Sequence, residues 1–292
     1  MKVAVLGANG QLGSDVCATF LRNGDEVIGL THSDIELTSI SSVEAAFASH
    51  QPDFIVNTVA MHHVEKCEAD PIAAFTINAI GARNVAKWAK QAGATVAYVS
   101  TDYVFDGKKD SPYTEADVAI PLNAYGITKL AGEHFIAASA TKHFVLRVSA
   151  IYGLQPCRAK GGLNFVELML KLSRERDKLR VVDDEFVTPT PTMQVAEQLV
   201  ALSRSSRYGL YHATAEGSCS WYEFASEIFR ATGTKVCLEK ASPGEFPAKV
   251  ARPKYSVLEN SALKTAQLNV FTDWRAGLEN YLNARGHAGT TA

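Results

Sequence analysis

Apolar and polar residues alternate along the first half of the chain with two different periods. The chain opens with the apolar run KVAVL at 2–6, whose β-branched residues are typical of a buried strand. The turn GANGQLG at 7–13 follows, and SDVCATFLRNG at 14–24 has helical spacing and ends at a glycine. DEVIGL at 25–30 has the pattern of a second strand. The sequence therefore begins with a predicted β-α-β unit.

The same alternation continues to residue 153. The predicted strands are DFIVNTVA (53–60), TVAYVST (95–101) and HFVLRVSAIYG (143–153), and the predicted helices are SVEAAFASH (42–50), PIAAFTINAIGARNVAKWAKQAG (71–93) and YGITKLAGEHFIAAS (125–139). This order predicts an α/β fold, a Rossmann-like doubly wound parallel sheet. Ligands of such sheets bind at the carboxyl ends of the strands, which we expect at Thr101, at Ala60–His63 and at Ala150–Gly153.

The first turn has the glycines that a dinucleotide requires. Gly7, Gly10 and Gly13 stand between a predicted strand and a predicted helix. Glycines there allow a tight turn, close approach of backbone N–H groups to a pyrophosphate and close packing of helix on strand. The helix N-terminus adds a partial positive charge. The alternative is a plain tight turn, which the strand–glycine–helix order makes the weaker interpretation.

The pattern loosens after residue 155, where we expect a smaller C-terminal substrate-binding lobe. Its predicted elements are a loop and helix at 158–176, a strand and Pro-rich turn at 179–192, a helix at 193–206, a short strand at 209–214 and a helix at 220–233. We assign residues 1–155 to a dinucleotide-binding domain and residues 156–282 to the substrate lobe, interleaved with the first domain. Residues 283–292 have the composition of a frayed tail.

The composition indicates the cellular compartment and excludes some classes of binding partner. A formal net charge of -2 gives no reason to expect nucleic acid or an anionic membrane as partner. The five cysteines are widely spaced without a C-x-x-C pair, which argues against a disulfide framework or a zinc site. No apolar run is long enough to span a bilayer. These features fit a cytoplasmic protein.

The candidate chemistry lies at Thr101, Tyr125 and Lys129. Among the ten tyrosines only Tyr125 has a lysine four residues later, a spacing that puts both side chains on one helix face. A nearby ammonium lowers the pKa of a phenol, which can then exchange a proton with a carbonyl or hydroxyl oxygen. Thr101 offers a hydroxyl at a predicted strand end. An ordinary amphipathic helix is the alternative, and the preceding glycine turn weighs against it.

With these motifs in place, the chain resembles the extended short-chain dehydrogenase/reductases and, within them, the dTDP-4-dehydrorhamnose reductase family. The resemblance extends to about Tyr281. The segments that carry it are GANGQLG, PDFIVNTVA, VEKCE, STDYVFDG, PLNAYGITKLAGE, NFVELMLKL, LRVVDDEFVTPT, GLYHAT, SWYEFA and ARPKYSVL. Members of this family reduce the 4-keto group of a dTDP-6-deoxy sugar with NADPH or NADH.

The resemblance implies a role for each site residue. Tyr125 is the expected proton donor, Lys129 lowers its pKa and holds the nicotinamide ribose, and Thr101 binds the 4-oxygen. The expected cofactor contacts are Gly7, Asn9, Gly10, Gln11, Leu12, Gly13, Thr31, His32, Glu36, Leu37, Val59, Ala60, Met61, Tyr125 and Lys129. The expected substrate contacts are Thr101, Asp102, Tyr103, Asn164 and Arg252.

Cofactor preference is decided after the second strand. An acidic residue there holds the 2′-hydroxyl of NAD, whereas an arginine accommodates the 2′-phosphate of NADP. Thr31 and His32 are neither, so we expect NADPH to be accepted and mildly favoured, with NADH as a second substrate. Glu36 and Leu37 match the pair that lines the adenine in the family.

Several positions depart from the family pattern. Met61 and His62 replace smaller residues near the expected nicotinamide, and Ala150 stands where a tryptophan is common. Glu185 and Val187 replace glutamine and glycine. Three basic residues are further candidates. Arg158 and Lys160 could bind a diphosphate, or they could belong to a solvated loop. Arg252 could contact the diphosphate or the sugar, or it could form a surface ion pair.

Metal binding and assembly follow only from the resemblance. His62 and His63 would point to opposite sides of a strand, and neither has a second ligand at metal spacing. Some family members bind Mg²⁺ at a dimer contact through acidic residues, whose positions cannot be assigned in this chain. A homodimer is the expected assembly.

Three alternatives to this reductase remain open. A close variant keeps the chemistry and changes the nucleotide or the sugar. A non-catalytic nucleotide-binding subunit, such as the regulatory subunit of methionine adenosyltransferase, would not need Thr101, Tyr125 and Lys129 together. An epimerase of the same superfamily is the third alternative.

Overall fold

A parallel sheet of six strands forms the centre of the molecule. The computed structural model describes residues 1–157, 161–242, 244–246 and 248–287. The strands of the central sheet are β1 (Lys2–Leu6), β2 (Glu26–Leu30), β3 (Phe54–Asn57), β4 (Thr95–Thr101), β5 (His143–Val148) and β10 (Gly209–His212). Their order is β10-β5-β4-β3-β1-β2, and every neighbouring pair is parallel. The predicted fold class is confirmed.

Helices cover both faces of this sheet. The helices are α1 (Gln11–Arg22), α2 (Ile40–His50), α3 (Val64–Ala69), α4 (Pro71–Phe75), α5 (Gly81–Ala92), α6 (Ala124–Ser139), α7 (Phe165–Glu175), α8 (Thr192–Ser203), α9 (Trp221–Thr232), α10 (Ser261–Ala266) and α11 (Trp274–Ala284). Buried residues of α1 and α8 pack on one face, and buried residues of α2, α5 and α6 pack on the other. Because both faces are covered, the strands are apolar at nearly every position.

The predicted helix at 71–93 contains an irregular turn. A π-helical turn, Thr76–Ile80, joins α4 to α5 without a break. An i→i+5 turn inserts one residue into the helix and leaves backbone groups without their usual partners. Tyr98, on β4, uses one of them, because its hydroxyl donates to the carbonyl oxygen of Asn78 at 2.9 Å.

The second lobe has a core of its own. Its strands are β6 (Ile151–Tyr152), β7 (Lys178–Val181), β8 (Phe186–Val187), β9 (Thr190–Pro191), β11 (Cys219–Ser220) and β12 (Cys237–Lys240), which pair two by two. The aromatic side chains of Tyr152, Phe224, Trp274 and Tyr281 fill the space between α7, α9 and α11. The aromatic packing buries large apolar areas.

Two elements late in the chain complete the first lobe. β10 extends the central sheet next to β5, and α8 packs beside α1. Residues 156–282 are thus shared between the two cores, and the division into two domains stays a prediction. At the carboxyl end, Arg285 and His287 contact Glu167 on α7, and residues 288–292 lie outside the described part of the chain.

Within the described residues, no helix is both long enough and apolar enough to cross a membrane.

Candidate active site

The glycine turn after β1 leaves no room for larger side chains. Gly7 has φ +78°, and its N–H donates to the carbonyl oxygen of Leu30 at 2.9 Å. A Cβ on Gly13 would lie 2.1 Å from the carbonyl oxygen of Gly7. Gly10 begins α1 without a side-chain cap. The first N–H groups of α1 are therefore directed to the space beyond β1, as a pyrophosphate site requires.

Gln11 connects this turn to the second lobe. Its side-chain amide donates to the carbonyl oxygens of Gln155 at 3.0 Å and Gly153 at 3.5 Å. Arg158 and Lys160, the candidate diphosphate contacts, lie outside the described residues. The contacts of Gln11 fix the segment that leads to them.

The end of β2 carries a carboxylate that the sequence argument did not include. The side chain of Asp34 accepts hydrogen bonds from the backbone N–H and the hydroxyl of Thr31, at 2.8 and 2.7 Å. These hydrogen bonds lower the pKa of Asp34. His32 is exposed and pairs with Glu36, whose carboxylate also accepts from Thr38. A negative charge is thus held beside Thr31.

The chain turns away from the sheet at the end of β3, earlier than predicted. Thr58 bonds back to the carbonyl oxygen of Leu6, and the N–H of Val59 donates to the side chain of Asn57. The expectation that the strand continues to residue 60 and places His62 and His63 on opposite sides of it was wrong. Both histidines lie beyond the strand, and His63 is the N-cap residue of α3.

Asn78 holds the loop that follows β3. Its side chain accepts from the N–H of Met61 at 2.8 Å and donates to the carbonyl oxygen of Met61 at 3.0 Å. The same amide group donates to Thr128 on α6 at 2.9 Å. Cys67 also donates to the carbonyl oxygen of Met61, and His62 approaches Cys157 at 3.9 Å. The π-helical turn therefore positions Met61, an expected cofactor contact.

Thr101 occupies the carboxyl end of β4 and is buried. Its hydroxyl donates to the carboxylate of Asp102 at 3.0 Å and accepts from the N–H of Tyr103 at 3.2 Å. Ser149 donates to the other oxygen of Asp102 at 2.9 Å. Burial raises the pKa of Asp102. Asp102 thus orients the Thr101 hydroxyl.

Tyr125 and Lys129 share one face of α6, next to Thr101. Asn123 caps this helix by accepting from the N–H of Gly126, where a Cβ would lie 2.2 Å from the carbonyl oxygen of Tyr103. The rings of Tyr103 and Tyr125 meet edge to face at 5.7 Å. Burial raises the pKa of Tyr125, and the Thr101 hydroxyl opposes part of this effect. The neutral phenol, which is the form that donates a proton, is favoured.

Lys129 is 1% exposed, and no described residue is a hydrogen-bond partner of its Nζ. The ammonium lies 3.9 Å from the centre of the Tyr98 ring. Burial lowers the pKa of Lys129 to about 7, and Glu133 opposes this change. A buried amine with unused donors fits the hydroxyl groups of a cofactor ribose. The roles of Thr101, Tyr125 and Lys129 stay predictions.

Arg252 is already paired with a carboxylate. It forms an ion pair with Glu65, whose second oxygen lies 3.1 Å from His63. Burial raises the pKa of Glu185, and Arg252 opposes the rise. The positive charge of Arg252 also opposes the rise that burial causes in the pKa of Tyr103. The Nε of Arg252 is buried and has no hydrogen-bond partner among the described residues. An anionic substrate would compete with Glu65 for this arginine.

Asn164 lies in a structural position. Its side chain caps α7 by accepting from the N–H of Glu167 at 3.0 Å, and it donates to the carbonyl oxygen of Gly153 and to Tyr281. The amide N–H groups and the amide oxygen of Asn164 already have partners inside the protein. To contact the substrate as predicted, the side chain would have to give up one of these hydrogen bonds or share it.

Sequence reasoning missed Asp34, Asn78 and Tyr98. Asp34 lies only four residues after the end of β2, so its position in the sequence was a signal for the acidic residue that contacts the cofactor ribose. Asn78 and Tyr98 carried no comparable signal, because their importance comes from the π-helical turn. The described residues contain no group of three or more His, Cys, Asp or Glu side chains arranged to hold a metal ion.

The fold and this arrangement define an extended short-chain dehydrogenase/reductase. The glycine turn follows the first strand, the Thr101 hydroxyl at the end of the fourth lies beside the phenol of Tyr125, and Lys129 follows one helical turn later on α6. UDP-glucose 4-epimerase from Thermus thermophilus, 20% identical with a TM-score of 0.81, shares the fold.

The sequence and structural comparisons identify the family. The model of the RmlD substrate binding domain matches residues 1–286. The spore coat polysaccharide biosynthesis protein SpsK of Bacillus subtilis is 39% identical over 98% of this chain and 99% of its own length. The dTDP-4-dehydrorhamnose reductase of Escherichia coli is 34% identical over 97% of each chain. The protein belongs to the dTDP-4-dehydrorhamnose reductase family and is an oxidoreductase, as the sequence predicted.

Solved structures agree with this placement. A dTDP-4-dehydrorhamnose reductase from Clostridium acetobutylicum superposes with a TM-score of 0.93 at 38% identity, over 98% of this chain and 100% of that chain. The dTDP-4-dehydrorhamnose reductase from Bacillus anthracis, solved in complex with NADP, superposes with a TM-score of 0.92 at 36% identity, over 97% of this chain and 99% of that chain.

Proposed function

We propose that the protein uses NADPH to reduce the 4-keto group of a dTDP-4-keto-6-deoxy sugar, converting dTDP-4-dehydrorhamnose to dTDP-rhamnose. The observation that supports this proposal is a buried Thr101 beside Tyr125 in a fold whose first strand ends in a glycine turn. One turn along the same helix lies the buried Lys129, whose Nζ has no hydrogen-bond partner among the described residues. The activity named for the Escherichia coli relative supports the substrate. The NADP bound to the Bacillus anthracis relative supports the cofactor, and NADH is the second choice.

In this proposal Thr101, Tyr125 and Lys129 have different tasks. When bound, NADPH would supply a hydride to the carbonyl carbon. Thr101, oriented by Asp102, binds the carbonyl oxygen, and Tyr125 donates the proton that this oxygen takes up. Lys129 holds the ribose hydroxyls of the cofactor and stabilises the phenolate that remains. Met61 and the first turn of α1 would line the cofactor.

The wider setting of the proposal follows the same resemblance. The substrate is a nucleotide sugar, and the enzyme works in the cytoplasm as a homodimer, with neither nucleic acid nor membrane as partner. Mg²⁺ at a dimer contact stays a prediction from the resemblance.

The proposal is tested by following nicotinamide absorbance with dTDP-4-dehydrorhamnose, using NADPH and NADH in parallel. We expect loss of absorbance with the parent and a fall in turnover of about 10²–10⁴-fold for Tyr125→Phe, because the proton donor is gone. Cofactor binding, measured by fluorescence, should be largely unchanged. Tyr208→Phe is the matched control, since Tyr208 is exposed just before β10. Equal turnover in Tyr125→Phe and parent would exclude Tyr125 as donor.

A different keto sugar is the second candidate, and one observation favours it. Ala150 has φ +43° and stands where the family commonly has a tryptophan that encloses the substrate. A relative from Streptomyces niveus, 34% identical, is a dTDP-4-keto-6-deoxy-D-glucose reductase. The same assay with the gluco isomer and with UDP-linked sugars separates the two candidates. Oxidation of NADPH only with one of these alternatives would favour the second.

A further inference from the structure

The face of one buried aromatic ring lies under the charged end of Lys129. The Nζ of Lys129 is 3.9 Å from the centre of the Tyr98 ring, and both residues are buried. A cation over an aromatic face is attracted by the ring quadrupole, most strongly when both groups are out of water. No described residue accepts a hydrogen bond from Nζ. The N–H groups that point away from the ring therefore remain available to a bound ligand.

Tyr98 is held rigidly in this position. Its hydroxyl donates to the carbonyl oxygen of Asn78, which the π-helical turn makes available. On the other side, Gly132 provides the space, because a Cβ there would lie 2.3 Å from the Tyr98 hydroxyl oxygen. The ring is fixed by the same turn that positions Met61.

We propose that Tyr98 is a positioning residue whose ring face keeps Lys129 charged and in place for the cofactor while leaving its N–H donors free. The inference rests on the proposed function in one respect, namely the use of Lys129 to bind the cofactor ribose. It goes beyond that function by assigning a task to Tyr98 and to the π-helical turn.

The charges around Lys129 fix the direction of the effect. Burial lowers the pKa of Lys129 to about 7, and Glu133 on the same helix raises it. Glu133 forms an ion pair with Arg147 on β5 at 2.7 Å. The arginine charge therefore offsets much of the effect of Glu133 on Lys129. Tyr125 and Tyr98 are neutral phenols, since burial raises the pKa of each. Among the described residues, the face of the Tyr98 ring is in contact with the ammonium and favours its charged form.

Removal of the ring should lower the pKa of Lys129 further. We expect a fall of about one unit in Tyr98→Leu, which corresponds to a desolvated cation–π contact. In Tyr98→Phe the ring remains, so the pKa of Lys129 should equal that of the parent. A protein with 3,4,5-trifluorophenylalanine at position 98 keeps the shape of the ring and loses its quadrupole, so it should titrate like Tyr98→Leu.

The measurement is a titration of ¹³Cε-labelled lysines by NMR in the cofactor-free protein. Exposed lysines titrate near pH 10, so a signal that moves near neutral pH stands apart, and its loss in Lys129→Met identifies it. Equal titration in all four proteins would overturn the proposal. The fluorinated protein keeps the test decisive if Tyr98→Leu does not fold.

A second measurement connects the Tyr98 ring to cofactor binding. With a pKa of about 6 in place of 7, Tyr98→Leu should bind NADP⁺ about tenfold more weakly at pH 8 and about twofold at pH 6. A purely structural role would weaken binding equally at both values. Failure of the parent to bind NADP⁺ would count against the proposed function, whereas the lysine titration would still judge Tyr98.

Discussion

At the scale of single residues, the exposed carboxylate of Asp34 is the group that we expect to influence the choice of cofactor. It is held beside the end of β2 by two hydrogen bonds from Thr31, where the adenosine ribose of a dinucleotide binds in this fold. A carboxylate there accepts from a 2′-hydroxyl and repels a 2′-phosphate. The side chain opposes the NADPH preference that Thr31 and His32 alone suggest.

Asp34→Asn should therefore shift cofactor affinity toward NADP⁺. We expect the ratio of NADP⁺ to NAD⁺ affinity to rise by up to about fivefold at low salt, since the carboxylate is exposed and screened. Titration of both cofactors by fluorescence measures the ratio. Asp110→Asn, an exposed aspartate on a distant loop, is the control. A ratio that does not move would mean that Asp34 does not face the ribose.

At the scale of secondary structure elements, the helix at 71–93 shows what periodicity can and cannot predict. Its apolar spacing predicted one continuous helix, and the path of the chain agrees. The π-helical turn was not predictable, because it follows from contacts with β4 and α6 that are distant in sequence. Asn78 acquires its role only through this turn, since it reaches both Met61 and Thr128 from there.

Asn78→Ala should destabilise the protein and weaken catalysis together. Loss of the hydrogen bonds to Met61 and Thr128 should lower the free energy of unfolding by about 2–3 kcal/mol. Cofactor affinity should fall as well, because the loop after β3 loses its support. Urea unfolding and NADP⁺ binding measure the two effects.

Gln198→Ala is the control for this substitution. Gln198 on α8 is fully buried and bonds Leu268 and Val270, far from the strand ends. It should lower stability to a similar extent with cofactor affinity unchanged. If both variants lost cofactor affinity equally, the special role of Asn78 would be refuted.

The candidate site was predictable where it depends on local spacing. The glycine turn and the Tyr125–Lys129 pair are set by residues close in sequence: the turn follows β1, and the pair lies near the start of α6, while its role stays a prediction. The partners of Arg252 and the position of β10 depend on contacts between distant segments. Local spacing carries no information about which distant segments meet, so these contacts were not predictable from the pattern of the sequence.

At the scale of the whole molecule, His212 links the edge strand to the loops that cover it. Its Nδ1 lies 3.0 and 3.1 Å from the carbonyl oxygens of Tyr113 and Glu259. Burial, assisted by Arg147, lowers the pKa of His212 to about 3. The folded protein therefore holds this histidine neutral.

This histidine predicts a loss of stability in mild acid. Its folded pKa lies below the unfolded value, so its contribution is present above about pH 6.5 and is lost as pH falls toward 3. Between pH 7 and 5 the loss should be about 2 kcal/mol, measured by urea unfolding. His212→Gln should remove this slope, and the exposed His134→Gln should keep it. An unchanged slope in His212→Gln would assign the acid sensitivity elsewhere.

The late arrival of β10 in the central sheet has a consequence for the chain during its synthesis. β5 is complete at Val148, but its neighbour begins only at Gly209. At roughly 5–20 residues per second, a ribosome needs about 3–12 s to make the intervening segment. For that time the edge of β5 and the apolar side of α1 are uncovered, and an open strand edge promotes aggregation. Slow translation through this segment should therefore increase the demand for chaperones.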